Sequence, residues 1–377
     1  MADEYVKLKA GAITVGKPLL FNVYNAERVL LLQQGQVVAS RDLLDKLYSR
    51  GLYHIHHAHV PLRSSSAEAS FDDRRSHFFT ELPDILEDIE TVQTYISHAH
   101  EESMRRLLRL AQRIHRVVEQ DPDAALGVVH VNTIEPSALE QTIFHAILCD
   151  RMGVRLNWDE ARRLALLQAA LSANLALLPH QDKLNRSRHQ LSEVQRSILR
   201  KHPELSVQAL QKAGCEDERC LLAVAQHHEN IDGSGYPQGL GGAQIVPEAQ
   251  VLALAERYTA MITQRAYRPR LAVDQALAEL ARMGAEKELW MALAVELTRY
   301  PPGILVELVN GETAVVTHRG GGSTPPRVRA ILSHRGQAFS SAYLRDCRQA
   351  EFAIRRIVLP ERQPSMHIAQ LWPAGSF

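Results

Sequence analysis

The run Gln226-His227-His228-Glu229-Asn230-Ile231-Asp232-Gly233-Ser234-Gly235-Tyr236-Pro237 constrains this chain more than any other stretch. It packs two adjacent histidines, two acids and two glycines behind an apolar helical segment, Leu221-Leu222-Ala223-Val224-Ala225. Histidines at the end of an apolar helix, followed by a glycine-tight polar turn, suit a metal or phosphate site. A helix stopped by glycine would use the same glycines. It would not call for paired histidines with a glutamate beside them.

His-His-Glu, then Asp-Gly-Ser-Gly-Tyr-Pro, then Gly239-Leu240, resembles the signature of the HD-GYP domain, a branch of the HD phosphohydrolases. The likeness runs over roughly residues 135–300. It implies an HD-type helical bundle. It also implies chemistry in which active members use two or three metal ions to hydrolyse the bacterial messenger cyclic di-GMP. On that resemblance, the first ligand falls at His145, a His-Pro pair at His202-Pro203, the signature pair at His227 and His228, and a closing carboxylate at Glu256, where the family has Asp. The extra methylene of Glu moves its carboxylate by about a bond length, whereas metal distances tolerate about 0.2 Å.

The His-Asp doublet that gives the family its name is missing. Its register falls at Ser172 and Ala173 or a neighbour, and no residue from Ala165 to Pro179 is His, Asp, Glu or Lys. His180 and Asp182 lie about two helical turns further on and are poor substitutes. Loss of the doublet removes two ligands, including the bridging carboxylate that a two-metal site needs. One metal position keeps His145 and Glu256. The other keeps His202, His227 and His228, a three-His set able to hold one divalent ion (Fe, Mn or Zn); the alternative is that these histidines hold no metal. Arg265 and Arg268, in Arg265-Ala266-Tyr267-Arg268, resemble the family's phosphate-contacting stretch, although a basic helix end that complements the helix dipole would look the same. Asp232, Gly233, Gly235 and Tyr236 are expected to shape the ligand-facing loop.

The 43 basic and 43 acidic side chains cancel, which argues against nucleic acid as a partner. Four cysteines without a C-x-x-C pair read as free thiols of a reducing cytoplasm. No signal peptide and no membrane span are expected. The fold expected is mainly α. A small β-containing module spans 1–57, a linker 58–75, a helical connector 76–124, the HD-GYP-like bundle 125–300, and a β-hairpin on Asn310-Gly311 with a tail 301–377. The apolar stripe on Leu107, Leu108, Leu110, Ala111 and Ile114 suits a packed helix pair or a homodimer seam within 76–120.

Three functions compete. The first is a degenerate HD-GYP regulator that binds cyclic di-GMP or a protein partner, such as a diguanylate cyclase (GGDEF) domain, without hydrolysis. The second is a metal-dependent phosphodiesterase working through a modified site. The third is a scaffold binding neither metal nor nucleotide. The missing doublet favours the first; the intact His-His-Glu and Gly-Tyr-Pro run favours the second.

Overall fold

The computed structural model describes residues 4–8, 13, 19, 22–33, 36, 38, 44, 47–48, 52–56, 78–131, 133–134, 136–178, 192–264, 268–359, 364 and 371–372. The expected linker 58–75 lies outside these residues, as do His180, Asp182 and Arg265. The chain divides into two compact units, one of residues 85–305 with 316–327, the other of residues 1–84, 306–315 and 328–377.

The first unit is helical. Its elements are α1 (Phe78–Ser97, whose first residues belong to the other unit), α2 (Ser103–Gln120), α3 (Pro122–Val131), α4 (Ala138–Arg155), α5 (Glu160–Ser172), a short 3-10 turn (Leu175–Leu177), α6 (Glu193–Lys212), α7 (Glu218–Gln226), α8 (Pro247–Ile262), α9 (Val273–Arg282) and α10 (Lys287–Leu297). Polar side chains set the starts. Ser137 and Glu140 close a capping box on α4, and Ser192 and Gln195 close one on α6. Asp159 and Asp217 cap α5 and α7.

Every residue of α4 from Glu140 to Gly153 is buried, so this helix occupies the middle of the bundle. It packs against α2, α3, α5, α8 and α10. Of the expected stripe on α2, Leu107, Leu110, Ala111 and Ile114 are thereby buried within the chain, whereas Leu108 is exposed because it points away from that face. His115 Nδ1, 2.9 Å from Asp150 of α4, anchors α2 further.

Residues 273–297 form two helices, not one continuous helix. Gly284 adopts φ +78°, and Ala285 N–H donates to the Leu280 carbonyl at 3.3 Å, closing α9 in a left-handed cap. Glu286 then restarts the chain by accepting from Leu289 N at 3.0 Å. The short α3 crosses the expected boundary at 124/125 between the helical connector and the bundle.

In the second unit, strands β1 (Glu4–Lys7), β2 (Val23–Tyr24), β3 (Leu30–Leu32) and β4 (Tyr53–His56) form a sheet in the order β1-β4-β2-β3. It packs on Leu8, Ile13, Leu19, Val23, Val38, Leu44 and Leu52. Because β1 pairs with β4, the sheet is not a simple meander. The expected C-terminal hairpin is present as β5 (Leu305–Leu308) and β6 (Thr313–His318), turning at Gly311 with φ +84°. It belongs to a five-stranded sheet, β8-β7-β6-β5-β9, completed by β7 (Arg327–Leu332), β8 (Ala338–Arg345) and β9 (Ile354–Val358). Cys149, Cys215 and Cys220 are buried free thiols, and Cys347 is half-buried. No helix among the described residues is long and apolar enough to cross a membrane.

One ion cluster locks the helical unit. Glu296 of α10 is fully buried and is bonded by Arg151 and Arg155 of α4 and by Arg319, which also pairs with Asp123 of α3. Burial alone would raise the Glu296 carboxyl, but the three guanidiniums outweigh it and hold it below the usual range. Glu296→Ala leaves those cations without their shared anion. Urea denaturation should show a loss of about 3–5 kcal/mol.

Candidate functional site

The site builds outward from Pro203. A proline within α6 has no N–H, so the Leu199 carbonyl four residues back lacks its helical donor. His202 supplies one: its Nδ1 donates to Leu199 O at 2.6 Å. At the end of α7, where carbonyls again run out of main-chain donors, His227 Nδ1 donates to Val224 O at 2.7 Å. Carbonyls only accept, so both Nδ1 atoms carry the proton and both Nε2 atoms present lone pairs. These two Nε2 atoms face each other at 3.2 Å. Both rings are buried, and burial first of all pushes each histidine down to about 4, so at neutral pH no proton lies between them. Two opposed lone pairs at this distance are relieved by a cation, and a backbone acceptor behind each ring is the support that metal-ligating histidines use.

His228 joins the pair: one ligand atom from each of His202, His227 and His228 lies within 4.8 Å of the others. Glu256 of α8 adds a fourth donor. Its Oε2 lies 3.8 Å from both His227 Nε2 and His228 Nε2. Donors around a tetrahedral Zn with 2.0–2.1 Å bonds are spaced by roughly 3.4 Å, so the three histidines could hold one divalent ion, with Glu256 beside two of them. The other carboxylate oxygen, Oε1, lies 3.5 Å from His145 Nδ1, and His145 Nε2 meets Thr259 Oγ1 at 3.0 Å. The five residues therefore share one pocket. Glu256 does not belong with His145 alone, as expected from the family pattern; its two oxygens face both groups.

Ser172 Oγ turns back along α5 to the Gln168 carbonyl at 2.6 Å, and Ala173 caps the helix. Asn174 is the residue that reaches the pocket, its Nδ2 donating to Glu256 Oε1 at 2.6 Å. Asn174 is an amide and carries no charge. The sequence register named Ser172 and Ala173 or a neighbour; of these residues Asn174, in the turn after α5, is the one that hydrogen-bonds Glu256.

The loop after His228 is held by Glu229, a buried carboxylate that accepts from Gln238 N at 2.7 Å and Leu240 N at 3.0 Å. Gly235 lies so close to the chain behind it that a Cβ would sit 2.4 Å from Asn230 N and from Glu229 Cα. Gly233 takes φ +77°. Asp232 accepts from Ser234 N and Oγ, which holds its carboxyl below the usual range and commits it to the turn. The Tyr236 ring stacks on His228 at 4.7 Å, and burial pushes its phenol upward. Arg268 donates to Ala260 O in the last turn of α8 at 2.7 Å, so it serves the helix end. Arg257, which sequence reasoning passed over, donates to the Glu229 carbonyl and to Asn230 Oδ1.

The family model for the HD domain matches residues 130–289. A cyclic di-GMP phosphodiesterase of Pseudomonas aeruginosa is 28% identical over 241 residues, covering 60% of this chain and 56% of that protein. A cyclic di-GMP phosphodiesterase of Borreliella burgdorferi is 25% identical over 174 residues, covering 45% of this chain and 46% of that protein. The chain thus spans about half the length of these curated relatives. The solved structure of an HDG"Y"P protein from Bdellovibrio bacteriovorus superposes with a TM-score of 0.52 at 16% identity, covering 78% of this chain and 99% of that one, which supports the same fold.

The histidine environment sets an acid response. His202, His227 and the Tyr258-bonded His130 are each pushed down to about 4, chiefly by burial. Unfolded, each takes up a proton near pH 6.5. As pH falls from 6.5 toward 4 the unfolded state gains protons that the native state refuses, so stability falls; above pH 6.5 these groups contribute no slope. Urea midpoints of chelator-treated protein should drop across that window. His227→Gln should make the drop shallower, by on the order of 3 kcal/mol at its acid end.

Proposed function

The chain belongs to the HD superfamily, in its HD-GYP branch, and we propose that its helical unit is a non-hydrolytic receptor for cyclic di-GMP that binds one divalent ion. The observation that carries this reading is Asn174, whose amide donates to Glu256 on the pocket wall opposite the histidines. Hydrolysis of a phosphodiester by a two-metal site needs a carboxylate that bridges the ions and holds them about 3.5–4 Å apart. An amide is neutral and has already committed its N–H to Glu256 Oε1. No residue from Ala165 to Pro179 is an acid or a histidine.

His202, His227, His228 and Glu256 would hold the single ion, which supplies an electrophilic contact for a phosphate oxygen. The protein's own groups do the rest. The Leu199 and Val224 carbonyls fix the two imidazole tautomers. Glu229 fixes the far side of the loop, and Tyr236 stacked on His228 offers an aromatic wall on which a base can rest. A site that grips substrate without activating water binds and reports. The relatives are named for turning over cyclic di-GMP, which is why this messenger is the ligand of choice.

The test combines metal analysis with a hydrolysis assay. The purified chain should carry about one ion, lost in His227→Ala. It should bind cyclic di-GMP and yield no pGpG or GMP with added Mn or Fe. Turnover should lie several orders of magnitude below that of an enzyme with an intact bridging site, because metal-activated water and charge neutralisation supply most of the barrier reduction. Ala173→His with Asn174→Asp returns both missing ligand types at the inward-facing register, and measurable hydrolysis should appear. Robust turnover by the unmodified chain, abolished by His227→Ala, would show that one carboxylate suffices.

A further inference from the structure

We infer that Arg257 is the phosphate-recognising residue of this pocket, a cation provided by the residue next to the Glu256 ligand. The inference rests on the ligand reading above and deepens it. Consecutive residues on a helix project about 100° apart. Glu256 therefore faces the histidines while Arg257 faces the loop that follows His228. The side chain is half-buried there, and both of its hydrogen bonds go to neutral oxygens, the Glu229 carbonyl at 3.3 Å and Asn230 Oδ1.

A guanidinium withdrawn from water is costly without a counter-charge. Among the described residues, no carboxylate comes within ion-pairing distance of Arg257. Its acidic neighbours are Glu256, which faces the histidines and Asn174, and Asp232, which is committed to Ser234. Both hydrogen bonds use Nη2, which leaves the donors of Nη1 and Nε for a further acceptor. The positive charge is also close enough to His227 and His228 to oppose their protonation. A second cation, the exposed Arg200 of α6, is near enough to Tyr236 to act electrostatically on its phenol. An anion lying between the three-His group and the loop would meet the ion on one side and Arg257 on the other. Arginine suits this role because its planar fork matches a phosphate's oxygens.

A simpler role is available, in which Arg257 only staples the loop through Asn230. The two roles separate by mutation. The metal-loaded full chain is titrated calorimetrically with cyclic di-GMP as wild type, Arg257→Gln, Arg257→Lys and Asn230→Ala, with metal content measured in each. Arg257→Gln should weaken binding roughly tenfold to a hundredfold, as expected for a lost charged hydrogen bond. Arg257→Lys should recover part of the loss. Asn230→Ala removes the staple and keeps the charge, so its affinity should stay close to wild type. Metal content should be unchanged in all four.

Equal affinity of Arg257→Gln and wild type overturns the inference, and so does an equal loss in Asn230→Ala and Arg257→Gln. If the wild-type chain binds no cyclic di-GMP, the receptor reading fails. Arg257 is then judged on inorganic phosphate: binding by wild type but not by Arg257→Gln upholds the anion site, and any other result overturns it.

Discussion

A carbonyl without a donor governs this site. Pro203 takes the N–H that Leu199 would have used, and His202 fills the gap, which settles its tautomer and aims Nε2 inward. The end of α7 does the same for His227 through Val224. Both imidazoles are oriented by main-chain atoms, whose positions are set by helix packing and not by side-chain rotamers. The pocket's donor atoms are therefore preorganised before any ligand arrives. Burial completes the arrangement by keeping both rings neutral and their lone pairs available.

The central helix α4 links that local geometry to the whole unit. It carries His145 toward Glu256 on the pocket side. It carries Arg151 and Arg155 toward Glu296 of α10 on another side. A helix buried all round cannot shift without breaking one set of contacts or the other. The frame holds Glu256 in place, and an amide at Asn174 neutralises nothing and bridges nothing, whereas a carboxylate would add the anion a second ion needs.

Much of this was legible in the chain itself. The apolar period of 3.6 located most helices, and Asn310-Gly311 announced its hairpin by turn chemistry. His145, His202, His227, His228 and Glu256 were named from a family pattern. Less legible were features decided at element ends. One glycine, Gly284, divided a long apolar run into α9 and α10, because periodicity continues across a left-handed cap that reverses the chain. The C-terminal hairpin turned out to be part of a five-stranded sheet, since β8 and β9 carry few buried side chains and so show weak alternation.

Sequence alone determined the residue types at the site and the absence of any acid or histidine from Ala165 to Pro179. That conclusion needed no coordinates, because no rotamer can supply a missing charge. Tertiary structure alone decided that Asn174 and not Ser172 faces the pocket, that Glu256 divides its two oxygens between His145 and the three-His group, and that Arg257 lies beside the loop with neutral partners only. These depend on where α5 ends and how α8 is rotated against α4 and α7. Such angles are set by the packing of whole helices, to which no short stretch of sequence is sensitive.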